Sequence, residues 1–181
     1  MMRRAGKLVV VAVMSAVLAL ALSAGGGWAA AAEGSRSTPA VRIEKVVVYK
    51  QERRMDLFHQ GKVWKGYRIA LGGNPVGHKL QRGDGRTPEG AYVLDWRNPH
   101  SQSHRSIHIS YPNARDRASA RRRGVSPGGD IFIHGLRKGM GSIGAARTAR
   151  DWTDGCIAVT NEEIEEIWKA VPNGTPIQIN P

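Results

Sequence analysis

The chain has 181 residues, a formal net charge of +12 and a single cysteine, Cys156. A lone cysteine excludes an intramolecular disulfide framework, and the large excess of basic residues points to an anionic partner. The length suits one domain with its own hydrophobic core, in addition to an N-terminal leader.

Residues 1–32 have the pattern of a secretory signal peptide. A basic start with Arg3, Arg4 and Lys7 precedes an apolar stretch at 8–22, and small residues typical of a cleavage site follow. The apolar stretch is shorter than the roughly 20 residues that a membrane-spanning helix needs. The alternative is an uncleaved N-terminal anchor, which would keep the protein at the membrane.

Residues 33–40 form a short polar linker, and residues 41–181 are expected to fold as one domain. The leader holds three of the basic residues, so a net charge of +9 remains after it. For an exported, periplasmic protein this charge indicates the cell wall polymer or acidic lipid, and export argues against nucleic acid. The basic run at 115–123 is either a binding patch or a solvated face.

Period-two patterns and turn residues predict a series of short strands along the domain. In chain order they cover Val41–Tyr49, Arg53–His59, Lys62–Leu71, Ala91–Trp96, Ser106–Tyr111, Asp130–His134 and Thr175–Ile179.

Helices are fewer than strands in this pattern. The clearest covers residues 161–170, where Thr160 is the expected N-cap and Glu163 completes a capping box. Shorter helices are predicted at 116–123 and near 145–150. The expected fold class is mainly β, a β-sandwich-like domain with small helical additions.

Cys156 and His134 are the residues best suited to chemistry. A thiol attacks as thiolate, so it needs a lowered pKa or a base, and a histidine can take its proton. The two residues stand 22 positions apart, on either side of a glycine-bearing loop. Each also has a simpler interpretation, since Cys156 could be a small buried hydrophobe and His134 a strand-end histidine bound by the backbone.

Three neighbouring positions could support such a site. Gly155 allows a sharp turn, and the backbone amides around Gly155 and Cys156 could donate to an oxyanion. Asp154 could orient His134 or simply cap a turn. His108 alternates with two isoleucines, so it could line the site from a neighbouring strand. No metal site is predicted, because the other histidines lack HExxH or CxxC patterns.

The run Thr153-Asp154-Gly155-Cys156, with His134-Gly135 upstream, resembles the signature of the L,D-transpeptidase catalytic domain (YkuD) family. The segment from Gly83 to Gly90 is similar to a loop of that family. The segments Ser110–Asn113 and Asp151-Trp152 resemble a bacterial envelope subgroup. The resemblance covers about residues 41–181, and it implies the family's mainly β fold.

The resemblance implies that Cys156 is the nucleophile and His134 the general base and acid, with the Gly155 backbone at the oxyanion. Two positions depart from the signature. Asp154 stands where the family has a second histidine, and Ala158 stands where many members have an arginine. The substrate-binding residues expected from the resemblance and from strand alternation are Arg86, Thr87, His108, Gly135, Trp152 and Thr153.

The resemblance also implies a reaction on peptidoglycan stem peptides, through a thioester on Cys156 and without a cofactor. An amine acceptor would give a 3-3 crosslink or a link to an envelope lipoprotein. Water as the acceptor would give a carboxypeptidase or an amidase that cuts wall-linked peptide or lipoprotein. The altered signature keeps a third hypothesis open, a non-catalytic wall-binding module. The sequence leaves the acceptor and the oligomeric state undetermined.

Overall fold

The computed structural model describes residues 41–139 and 148–181. The predicted signal peptide and the linker at 33–40 lie outside the described residues, as does half of the helix predicted near 145–150. The other half, residues 148–150, forms a turn and a bend instead of a helix. Within those two ranges, no helix is both long and apolar enough to cross a membrane.

Eight strands form one hydrogen-bonded sheet, and two helices accompany it in the described parts of the chain. The sheet order is β3-β2-β1-β8-β4-β5-β6-β7. The strands are β1 (Lys45–Tyr49), β2 (Arg54–His59), β3 (Lys62–Arg68), β4 (Gly90–Asn98), β5 (Ser106–Ile109), β6 (Phe132–His134), β7 (Ile157–Ala158) and β8 (Thr175–Asn180). The helices are α1 (Ala114–Arg122) and α2 (Asn161–Ala170).

The hairpin between β2 and β3 follows directly from its turn residues. Gln60 and Gly61 both have positive φ, at 50° and 72°. Two successive left-handed residues make the turn whose twist matches that of antiparallel strands. The two strands therefore pair along their length, with one irregularity between Leu57 and Phe58.

The sheet curls so that its two outer strands approach each other. Ala70, just beyond β3, pairs with Ala158 of β7, and their amide nitrogens and carbonyl oxygens lie 2.9 Å and 2.8 Å apart. Gly72 forms a further bridge with Thr153. This closure satisfies the backbone groups that an open edge strand would expose, and it holds the segment before Cys156 against the loop that follows β3.

Helix α2 covers one side of the apolar core. Thr160 accepts a hydrogen bond from the Glu163 amide, and the Glu163 carboxylate accepts one from the Thr160 amide, which is the predicted capping box. Ile164 and Ile167 are fully buried and join the core cluster, which also includes Ile133 of β6. The mainly β fold with small helical additions is confirmed.

Candidate functional site

A cavity of about 390 Å³ opens beside β6 and β7, and both Cys156 and His134 line it. Ile133 pairs with Ile157, and His134 pairs with Ala158, in parallel register. Side chains two residues apart on a strand share one face, so Cys156 lies on the same face as Ala158 and His134. The pair that the sequence placed 22 residues apart is therefore brought together by the pairing of β6 with β7.

The protonation state of His134 follows from its contact with the backbone. Its Nδ1 lies 2.6 Å from the carbonyl oxygen of Gly135. A carbonyl only accepts, so Nδ1 carries the proton and, in a neutral ring, Nε2 keeps a free lone pair. Burial lowers the pKa of His134, the Gly135 hydrogen bond opposes this, and the Arg137 charge adds to the lowering. His134 is thus a neutral base at neutral pH.

Cys156 is a protonated thiol in this site. Burial raises its pKa above the usual range, and the carboxylates of Asp154 and Asp130 raise it further. The backbone amide of Phe132 and the charge of Lys79 act in the opposite direction. The thiol lies 3.6 Å from the carbonyl oxygen of Asp130, to which it donates a weak hydrogen bond. A lowered thiol pKa is therefore not how this site would activate its nucleophile, and a base is needed.

The turn before Cys156 is held by the hydroxyl of Thr153. The Thr153 Oγ1 donates to the Cys156 carbonyl oxygen at 2.8 Å and accepts from the Gly155 amide at 3.1 Å. The Gly155 amide is therefore engaged within the turn. The Cys156 amide donates to no acceptor in the described part of the chain, so it is the better oxyanion donor.

Gly155 is required for a steric reason. Its φ is +128°, and a Cβ at this position would lie 2.5 Å from the Arg86 carbonyl oxygen. A side chain there would displace the backbone of the preceding loop. The glycine of the signature-like run thus lets two backbone segments meet directly beneath the thiol.

An ion pair fixes the segment that leads into this turn. The Arg53 guanidinium donates to both carboxylate oxygens of Asp151, at 2.7 Å to 3.2 Å. Asp151 also accepts from the Leu71 amide at 2.9 Å, and the amides of Trp152 and Thr153 donate to the Leu71 carbonyl. These contacts anchor the cysteine loop to the chain that follows β3.

Comparison with known proteins agrees with this geometry. Residues 44–179 match the model of the family described as the L,D-transpeptidase catalytic domain, YkuD. The chain belongs to this family. A curated protein of Escherichia coli strain K12, "Putative L,D-transpeptidase YafK", is 31% identical over 133 residues, which are 70% of this chain and 46% of that protein. The chain therefore spans less than half the length of that relative.

Solved structures share the fold at lower identity. The helical cell shape determining protein Pgp2 of Campylobacter jejuni superposes with a TM-score of 0.56 at 24% identity, over 77% of this chain and 48% of that one. Bd1075 of Bdellovibrio bacteriovorus gives 0.54 at 24% identity, over 80% of this chain and 50% of that one. At this level of identity both similarities concern the fold alone.

Asp154 and Ala158, the two departures from the family signature, have different surroundings. Asp154 is exposed and lines the cavity, but His134 Nδ1 is bound by the Gly135 carbonyl instead. The contact to His134 Nδ1 thus comes from Gly135, which favours the alternative that Asp154 does not orient the ring. Ala158 is fully buried in the bridge to Ala70, so a long cationic side chain at this position would not fit unchanged.

The predicted substrate-binding residues divide into two groups. Trp152 and Thr153 line the cavity, and the Trp152 ring meets His134 edge-on at 5.9 Å. The other four lie outside the lining of this cavity, and their role in substrate binding stays a prediction. Thr87 is fully buried, and its hydroxyl accepts a hydrogen bond from the Gly72 amide. The carbonyl group of Arg86 packs against Gly155. The remaining two residues of this group are His108 and Gly135.

The predicted set omitted several residues of the cavity wall. Phe132 alternates with His134 along β6, so period two could have placed it on the same face. Ser106 pairs with His134 across β5 and β6. Arg137 adds a cation and Asp130 a carboxylate, both exposed at the cavity. No group of histidine, cysteine or acidic side chains suited to a metal ion occurs in 41–139 or 148–181.

Proposed function

We propose that this chain is a periplasmic, cysteine-dependent L,D-transpeptidase that acts on peptidoglycan stem peptides through a thioester on Cys156. The observation that carries the proposal is the shared cavity of Cys156 and His134, in which the Gly135 carbonyl leaves His134 Nε2 as a base. Members of this family act on peptidoglycan peptides, and residues 44–179 match the family.

In the first step the Cys156 sulfur attacks the carbonyl carbon of the third residue of the stem, a diaminopimelate. The thiol proton moves to His134 Nε2 as the carbon–sulfur bond forms. The Cys156 amide faces the developing oxyanion. The bond to the terminal D-alanine then breaks, and the imidazolium returns the proton to the leaving amine. The products are free D-alanine and an acyl-enzyme.

In the second step an amine of another stem attacks the thioester carbonyl. His134 removes a proton from the amine, the new amide bond forms, and the thiol leaves and regains a proton. The exposed carboxylates of Asp130 and Asp154 line the same cavity and would attract a cationic amine. Their charge supports an amine acceptor in preference to water.

Two cavity groups are suited to the peptide substrate. The indole N–H of Trp152 is buried and has no hydrogen-bond acceptor among the described residues. A donor of this kind in a cavity wall gains a partner when a peptide carbonyl arrives. Arg137, exposed at the same cavity, supplies a cation for a stem carboxylate and would replace the arginine absent at Ala158.

Export would bring the domain to its substrate. We infer that residues 1–32 direct the chain across the inner membrane and that residues 33–40 link this leader to the catalytic domain at 41–181. An envelope lipoprotein with a free amine is a second acceptor of the same chemical class. No nucleic-acid partner and no cofactor enter this scheme.

The test is mass spectrometry of disaccharide-tetrapeptide muropeptides after incubation with the protein, with Cys156→Ser as the control. Cysteine-dependent dimers, or exchange of D-alanine, would support transpeptidation. Release of D-alanine alone would instead identify a carboxypeptidase. If neither this substrate nor lipoprotein-linked wall changes, the wall-binding module becomes the better interpretation.

A further inference from the structure

Three aromatic rings form a cluster beside the cavity. Trp96 stacks on His108 at a centroid distance of 5.2 Å, with an angle of 24° between the ring planes. Phe132 meets both rings edge-on, at 5.4 Å from Trp96 and 5.1 Å from His108. We call these three residues the aromatic platform.

A β-bulge places Trp96 in this cluster. Leu94 pairs with Ile109 and Arg97 pairs with Ile107, so two residues of β4, Asp95 and Trp96, stand opposite one residue of β5. Regular alternation would put Trp96 on the same side as the fully buried Leu94. Bulges re-aim side chains in this way and are common beside active sites.

The platform is rigid and partly open to solvent. Trp96 is 43% exposed although two rings pack against it. His108 Nδ1 lies 2.7 Å from the Asp95 carboxylate, which holds the ring on which Trp96 stacks. A flat aromatic surface held in place before binding loses little conformational entropy when a ligand covers it.

The platform is continuous with the candidate active site. Phe132 belongs to both, since it lines the cavity and its backbone amide lies against the Cys156 sulfur. His108 pairs with Phe132 across β5 and β6. Trp96, His108 and Phe132 therefore come from three neighbouring strands, β4, β5 and β6, and Cys156 directly precedes the next strand, β7.

The aromatic platform is within reach of a stem peptide bound at Cys156. The backbones of Trp96 and Cys156 are separated by three strand spacings of about 4.8 Å, at most about 14 Å in all. The Trp96 ring lies closer to the cavity than its backbone spacing indicates, since its centroid is 5.4 Å from that of Phe132, which lines the cavity. Three extended residues, from the scissile carbonyl back to the start of the stem, span about 10 Å, and a short linker joins them to the sugar. A stem bound at Cys156 therefore reaches the platform with its sugar end.

We propose that the Trp96–His108–Phe132 platform is a sugar-stacking subsite that holds the amino-sugar strand to which the stem peptide is attached. This inference rests on the proposed function, because it takes the stem as the occupant of the cavity. The apolar C–H face of a pyranose ring carries partial positive charge, and the face of an indole is negative. The indole of Trp96, which is 43% exposed, therefore suits a sugar next to the cavity of the nucleophile.

The first test compares two substrates that differ only in the sugar. The full chain is assayed for D-alanine release or exchange with a disaccharide-tetrapeptide and with the free tetrapeptide. The ratio of kcat/KM for the disaccharide-tetrapeptide to kcat/KM for the free tetrapeptide measures the contribution of the sugar. We expect Trp96→Ala to decrease this ratio by a factor of about two to about ten relative to wild type, the range of one aromatic stacking contact. Trp96→Phe retains a flat ring and should recover most of the ratio.

Trp64 provides the matched control. It is a tryptophan of β3 with 36% exposure, outside the platform, so Trp64→Ala should keep the wild-type ratio. A ratio that is the same in Trp96→Ala and wild type would overturn the subsite, and it would leave the acyl-transfer proposal standing.

The second test measures binding without turnover. Peptide-free glycan chains are titrated into the Cys156→Ser full chain by calorimetry, with and without Trp96→Ala. Binding that weakens on Trp96→Ala, but not on Trp64→Ala, would support the subsite even if no tetrapeptide were turned over. Absence of glycan binding, or binding indifferent to Trp96, would overturn it.

Discussion

The Nδ1 atom of His134 lies 2.6 Å from the carbonyl oxygen of the next residue, Gly135. This contact fixes the imidazole tautomer with a backbone group, where a carboxylate or a second histidine would otherwise be needed. A backbone carbonyl cannot be removed by substitution of a side chain. In the proposed mechanism, this contact orients His134 without any contribution from Asp154.

The pH dependence of the reaction should reflect the lowered pKa of His134. Burial disfavours the imidazolium, so the ring remains a neutral base until the pH falls below the usual histidine value of about 6.5. We expect kcat/KM to hold through neutral pH and to decline on an acid limb with its midpoint below that value. An acid limb with its midpoint above neutrality, measured with the disaccharide-tetrapeptide, would contradict a lowered His134 pKa.

Asp154→Asn should make the thiol more acidic. The Asp154 carboxylate raises the pKa of Cys156, so its removal should shift the pH profile of iodoacetamide labelling to lower pH. The gain in rate at a fixed pH should be less than about tenfold, because solvent screens an exposed charge. Glu162→Gln, at an exposed position of α2, is the control and should leave the profile unchanged. An unaltered profile in Asp154→Asn would contradict this electrostatic account.

Thr153→Val should reduce both stability and activity. It removes the hydroxyl that binds the Gly155 amide and the Cys156 carbonyl, at a cost of about 1–3 kcal/mol in unfolding free energy. The loosened turn should lower kcat/KM by about tenfold or more. Urea unfolding and muropeptide turnover measure the two effects.

Two further variants separate the turn from general destabilisation. Thr153→Ser keeps the hydroxyl and should restore most of the activity. Thr175 is also buried, and its hydroxyl donates to the Pro172 carbonyl oxygen at 2.7 Å, away from the cavity lining. Thr175→Val should lose similar stability and keep its kcat/KM. Equal losses of activity in both valine variants would argue against a positioning role for Thr153.

Gly155→Ala should disrupt the cysteine loop. The added methyl would meet the Arg86 carbonyl oxygen at 2.5 Å, and φ of +128° is unfavourable for alanine. We expect a loss of about 3 kcal/mol or more in unfolding free energy, together with loss of turnover. Gly73→Ala is the matched control, since nothing lies within 4 Å of its Cβ position. Normal turnover by Gly155→Ala would show that the loop tolerates a shift of the Arg86 backbone.

Local signals predicted most of the fold. Helix α2 begins and ends where the capping box at Thr160 and the apolar spacing indicated. Seven strands were predicted within a few residues of their ends, because alternation and turn residues act over short ranges. Strand β7 was missed, since it has two residues and its pairing partners, β6 and Ala70, lie far away in sequence.

The candidate site was only partly predictable for the same reason. Cys156 and His134 carry recognisable chemistry, whereas their surroundings depend on backbone contacts that leave no pattern. The engagement of the Gly155 amide by Thr153 and the burial of Thr87 both depend on how the loops fold back. The bulge that exposes Trp96 likewise depends on how β4 pairs with β5, and the alternation of residues along β4 alone does not predict this pairing.

The most direct test of the central claim is intact-protein mass spectrometry of the full chain mixed with disaccharide-tetrapeptide. The account predicts a covalent adduct with the mass of the substrate minus D-alanine, located at Cys156 by peptide mapping. The adduct should be absent in Cys156→Ser and should form much more slowly in His134→Ala. Turnover of the substrate by Cys156→Ser, or an adduct on another residue, would contradict the account.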